Sequence, residues 1–179
     1  MPFFRSKRWF LMRIQKHILL SFAIALTITP AASAQGGSVP DMPAEVGVAI
    51  TLQVAGQPFH FEGKAKCEYV PVASIDNVVA EKWTASLIDP NRSMGLTLWR
   101  PKNKSGDMFS LHVLMPAKGY IIDTVRRGGK GSVAGSGKVT LTTSGAGGTF
   151  TINATARDGA VITGTINCSA FTDEMPEGG

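Results

Sequence analysis

An apolar run long enough to cross a bilayer is missing from this sequence. The longest candidate, Ile18 to Ile28, covers about 11 residues, where a spanning helix needs roughly 20. Acidic residues are missing before position 35, and no cysteine follows the apolar run, which excludes a lipid-modified anchor at that point. Histidine is scarce: of three, only His60 and His112 lie beyond the head of the chain. There is no GxSxG elbow, no Ser-His-Asp ordering and no pair of carboxylates at a spacing that forces them together. These absences argue against hydrolysis, and the chain reads as non-enzymatic and without a cofactor.

What the head does contain is a basic stretch (Arg5, Lys7, Arg8, Arg13, Lys16), the short apolar run, and Ala32-Ser33-Ala34. That order makes residues 1–34 a secretory signal peptide with cleavage before Gln35, whether translation starts at Met1 or at Met12. Its removal changes the charge argument. Five of the 18 Lys and Arg lie before residue 35 and all 13 Asp and Glu lie after it, leaving 13 of each and no net charge. The precursor's excess of +5 would suggest nucleic acid as a partner; the mature chain removes that suggestion. The expected partner is instead an unidentified envelope or secreted component, with the protein exported, periplasmic or secreted, and no transmembrane segment in the mature chain.

The two cysteines, Cys67 and Cys168, close the stretches FEGKAKC and ITGTINC, each with a glycine four positions earlier. In an oxidising compartment two cysteines normally pair. Each shares the apolar face of an alternating segment, in phase with Phe61 or Ile166, and Gly63 and Gly164 lie on the same faces. A glycine there lets another backbone or a large side chain approach. Cys67–Cys168 is therefore expected as a disulfide clamping the two ends of the domain.

Period-two alternation dominates the mature chain. It is clearest over 46–54, 59–67, 138–142, 149–156 and 162–168, with Asp158-Gly159 suited to a tight turn between the last two. WTASLI, LTLWR, FSLHVL and YIIDTV supply further strands in the middle. A short helix is expected within 70–82, around SIDNVVAE with Ser74 as its cap. The fold expected is all-β: an antiparallel β-sandwich or small barrel of about eight short strands closed by one disulfide. Residues 35–44 read as a flexible lead-in, 45–172 as one β domain, and 173–179 as an acidic, glycine-containing tail.

Three segments, VAGQPFHFEGKAKC, GSGKVTLTTSGAGGTFTINATA and ITGTINC, resemble the nineteen-kilodalton lipoprotein antigen family of mycobacteria. The resemblance implies a disulfide-closed β domain exported to the envelope. The family's lipidated cysteine has no counterpart here, so lipid anchoring is not implied, and no catalytic residues are carried over.

Other patterns are weaker. Met108, His112 and Met115 are residue types a copper site uses, but on a strand Met115 faces away from the other two. Gly129, Gly131 and Ala134 imitate a dinucleotide fingerprint, yet a strand follows instead of a helix. Two basic loops remain as a candidate anionic contact: Arg100, Lys102 and Lys104 beside Trp99, and Arg126, Arg127 and Lys130 in a glycine-rich stretch. The functional expectation is a binding or envelope-interaction domain. The alternatives are a small barrel carrying an apolar ligand, or an inhibitor of a secreted enzyme presenting loop 126–137. A filled interior of Phe59, Phe61, Leu87, Leu98, Leu111 and Phe150 would separate the first from the carrier.

Overall fold

The computed structural model describes residues 44–125 and 133–173. The signal-peptide assignment, the lead-in up to residue 43, and the tail beyond Asp173 lie outside the described residues. Among the described residues there is no helix, and none is therefore long and apolar enough to cross a membrane.

Ten strands form: β1 (Val46–Val54), β2 (Gln57–Ile75), β3 (Val78–Asp89), β4 (Arg92–Pro101), β5 (Met108–Met115), β6 (Lys118–Asp123), β7 (Ser136–Ser144), β8 (Gly147–Thr155), β9 (Val161–Cys168) and the short β10 (Thr172–Asp173). They lie in the order β6-β5-β4-β3-β2-β1-β9-β8-β7, antiparallel throughout, with β10 added parallel to β2 at Glu68 and Tyr69. The two outermost strands turn back toward each other. Asp123 at the end of β6 and Ala134 just before β7 exchange both backbone hydrogen bonds, at 2.7 and 2.9 Å. The result is a nearly closed nine-stranded antiparallel barrel, all-β as expected; alternation alone leaves a sandwich or a small barrel of about eight strands open.

The 19 residues of β2 make this closure possible. Its first part, Gln57 to Ala65, pairs with β1, and from Lys66 onward it pairs with β3. One strand thus belongs to two half-sheets end to end. In the β1-paired part, Arg92 of β4 donates a hydrogen bond to the carbonyl of His60 and lies over the rings of Phe59 and Phe61. Further on, β2 leaves one partner for the other between Ala65 and Lys66. The disulfide sits at the same switch. Cys67 is the second residue of the β3-paired part, and Cys168 ends β9, opposite Val48 and Gly148. The two are bonded with Cα atoms 6.2 Å apart, at a sequence separation of 101; the distance is inside the usual range of about 4.4–6.8 Å.

The glycine reading holds at Gly164 and is corrected at Gly63, which is not buried on the inward face. A side chain at Gly164 would meet the carbonyl oxygen of Thr51 at 2.1 Å, because β9 is pressed against β1 there with φ at +137°. At Gly63 the visitor is the ring of Phe61 from its own strand, and the position is exposed.

The expected helix over 70–82 is a β-hairpin. Asp76 and Asn77 both adopt positive φ, 49° and 63°, the geometry of a two-residue primed turn. The β-branched Val78 and Val79 then start β3. Pro71, which has no amide hydrogen to give a ladder, falls where the β2–β3 register shifts between Val70 and Ala73.

Inside the barrel Phe59, Leu87, Leu98, Leu111 and Phe150 are all buried, while Phe61 is half-buried at the rim. Ile50, Leu52, Leu96, Ile122, Ile152, Ile162 and Ile166 fill the remaining space.

Two outcomes test this architecture. Denatured, unreduced protein should bind no thiol reagent, and Cys67→Ala/Cys168→Ala should lose about 2–5 kcal/mol of stability in denaturant titration; two reactive thiols would contradict it. Gly164→Ala should destabilise by roughly 1–3 kcal/mol through overpacking, and an unchanged unfolding midpoint would show that β1 and β9 are not in this register.

Candidate binding pocket on the outer face of the sheet

Alternation puts Trp83, Leu98, Phe109 and Ile122 inside, so the residues between them face out. Pairing sets these outward residues in rows across the barrel. Thr84, Thr97, Ser110 and Asp123 are cross-strand neighbours in turn, as are Lys82, Trp99 and Met108, and Gly95, His112 and Ile121. A bare sheet of this kind would be a shallow surface. Here one side of it is walled.

The wall comes from the β2–β3 hairpin and the end of β6. Beyond the irregularity at Pro71 the hairpin brings Ile75 against Val125, and with Ala80, Trp99 and Met108 they form a second apolar cluster outside the barrel. Val125 is fixed by its neighbours. Its amide donates to the Asp123 carboxylate at 2.9 Å, and the adjacent Thr124 donates from its backbone and its hydroxyl to the carbonyl of Phe109. Between wall and sheet lies a pocket of about 610 Å³, lined by Ser74, Ile75, Asp76, Lys82, Thr84, Thr97, Trp99, Ser110, His112 and Val125. Its size falls within the range of small-molecule sites, about 300–1,000 Å³.

Its chemistry is polar with one aromatic. Among the described residues, four hydroxyls, a carboxylate, an ammonium and an imidazole share the lining with Trp99. Lys82 is the buried charged residue among those described, 7% exposed, with its stem between Val70 and Trp99 on the neighbouring strands. The hydroxyl of Ser110 lies 3.2 Å from Nε2 of His112. At the inner edge of the same sheet the Tyr69 hydroxyl donates to Glu81; burial first, and then the Glu81 carboxylate, raise its pKa.

The anionic-contact residues are distributed differently from the expectation. The Arg100 guanidinium is held by Asp107 at 3.1 Å and stands over the inward ring of Trp83 at 5.1 Å. Lys102 and Lys104 are exposed in the β4–β5 loop. Arg126, Arg127 and Lys130 lie outside the described residues. The described flanks of the two loops do converge, since Trp99 and Met108 pack against Val125. Trp99, expected to be exposed beside a loop, is half-buried on β4. Met108 and His112 share the outer face while Met115 packs on the main core. The 126–137 loop is shortened by the Ala134 bridge and by β7, which starts at Ser136.

Lys82, Thr84, Thr97 and Ser110 were not singled out by sequence. A signal existed: WTASL, LTLW and FSLH each set a hydroxyl between apolar residues, in three successive strands. Without the register, nothing aligns the three.

A second groove, about 270 Å³, follows the seam between β6 and β7 and is lined by Tyr120, Ile121, Ala134, Ala156 and Arg157 among others. The Lys118–Asp158 ion pair spans one end of this seam, and the Asp123–Ala134 bridge the other. No protein-family model, curated protein or solved structure matches the chain.

The seam pair gives a pH expectation. The hydrogen bond from Lys118 holds the Asp158 carboxyl below its ordinary 3.8 and raises Lys118 above its ordinary 10.5. The pair is therefore intact at neutral pH. It is lost as pH falls through the depressed Asp158 value, and again as pH rises through the raised Lys118 value. Carboxylate carbon shifts followed against pH should place the Asp158 midpoint below 3.8, and Lys118→Ala should move it up. A midpoint unmoved by that substitution would mean the pair does not form in solution.

Proposed function

We propose that this protein is an exported, non-enzymatic binding domain whose recognition surface is the outer face of β3, β4 and β5. The observation that carries this reading is where space is found. The barrel interior is occupied by Phe59, Phe150, Leu98 and Leu111, each at most 2% exposed, whereas the walled pocket lies outside. A filled interior favours external binding over an apolar ligand carried within. The disulfide is consistent with an oxidising, exported compartment. His60 and His112 are exposed beside the hydroxyls of Thr51 and Ser110, a setting that favours solvated side chains over a catalytic base. The segments that resemble the mycobacterial lipoprotein antigens fall in β1–β2 and β7–β9. They support envelope residence and contribute nothing to the pocket.

The test is a mapping of small-molecule contacts by amide chemical shifts. With a library of polar fragments at millimolar concentration, shifts should cluster at Lys82, Thr97, Ser110 and His112. Shifts at inward Leu98, Leu111 and Phe150 with a fatty acid, and none at the outer face, would establish the carrier reading instead.

A further inference from the structure

Resting on the reading that this pocket is the binding site, we propose that it takes a sugar residue of a neutral glycan. The argument begins with the hydroxyl row. Thr84, Thr97 and Ser110 sit directly opposite one another on adjacent strands, so their side chains repeat at the inter-strand spacing of about 4.8 Å. The Thr84 hydroxyl donates to the Glu68 carboxylate at 3.0 Å and keeps its lone pairs for a ligand. Ser110 shares a hydrogen bond with His112 at 3.2 Å, and each hydroxyl retains capacity for a further bond. A ligand that itself presents several hydroxyls from one rigid ring can donate to Thr84 and pair with Thr97 and Ser110 along the row.

Charge narrows the class further. Among the described residues the lining holds one ammonium, Lys82, and one carboxylate, Asp76. Sites for phosphate or polyanion gather cations of a single sign, whereas the described lining carries both signs. A fixed donor and a fixed acceptor flanking neutral hydroxyls suit an uncharged polyol better than an ion. Trp99 supplies the remaining element, an amphipathic ring that offers an apolar surface to C–H groups within a polar setting. Five of the six residues, Lys82, Thr84, Thr97, Trp99 and Ser110, lie on strands of the sheet, and Trp99 packs against the second cluster. The pocket is thus built on rigid elements, which reduces the ordering needed on binding.

Calorimetric titration of the purified protein with tetramers of N-acetylglucosamine, glucose and mannose decides the matter, with heparin and laurate as the anionic and apolar comparisons. At least one neutral tetramer should bind with a Kd of about 10 μM to 1 mM, unchanged between low and high salt because no counter-charge is screened. Thr97→Val/Ser110→Ala should weaken it about tenfold or more while keeping the thermal midpoint, and Trp99→Ala should act in the same direction. No binding by any tetramer overturns the proposal. So does binding by heparin alone with steep salt dependence, or tetramer binding indifferent to Thr97→Val/Ser110→Ala. In each of these cases fragment shifts at the outer face would still uphold the binding site itself, and their absence would remove both readings together.

Discussion

Everything in this fold depends on β2 being shared between two half-sheets. Nine residues of the strand pair with β1, and the ladder then passes to β3. At such a transition neither partner covers the whole strand, and an antiparallel pair held only at its ends can splay. Two side-chain contacts prevent this. Arg92 ties β4 to the His60 carbonyl in the β1-paired half, and the Cys67–Cys168 bond ties the start of the second half-sheet to the last residue of β9. A cross-link 101 residues long removes much of the freedom of the unfolded chain. Its position matters as much as its length, because it acts where hydrogen bonds change hands.

The same strand sets the outer face. Pro71 cannot continue the β2–β3 ladder, and the register shifts beside it. Past that irregularity the hairpin carries Ile75 to Val125 and Trp99, burying apolar surface outside the barrel. Each buried aliphatic side chain of this kind contributes about 1.5–3 kcal/mol, enough to hold a two-strand extension that would be marginal alone. The pocket is the space this second cluster leaves over the sheet.

These two levels differ in how far the sequence discloses them. Alternation over 46–54, 59–67 and 149–156 is local, and it fixes which side chains face inward; the inward phase of both cysteines followed from it. At 76–77 the local pattern misleads: SIDNVVAE with Ser74 as a cap suggests a helix, yet Asp76 and Asn77 both take positive φ and turn the chain into a hairpin. The pocket was hidden for a deeper reason. Thr84, Thr97 and Ser110 become neighbours only through the β3–β4 and β4–β5 registers, and their wall arrives through a contact between residues 75 and 125. Neither relation leaves a periodic trace in the chain.

Asp123 joins the barrel's closure to the pocket's wall. Its backbone amide and carbonyl make the bridge to Ala134 that draws β6 to the start of β7. Its carboxylate accepts the Val125 amide and so fixes the residue on which Ile75 rests. One side of the same residue faces the outer row with Ser110. Barrel closure and pocket shape are therefore coupled through a few bonds at one position. Opening the β6–β7 seam would release Asp123 from Ala134, loosen the Val125 turn, and withdraw support from the second cluster. A ligand that braces the hairpin against the sheet would, by the same linkage, hold the seam closed.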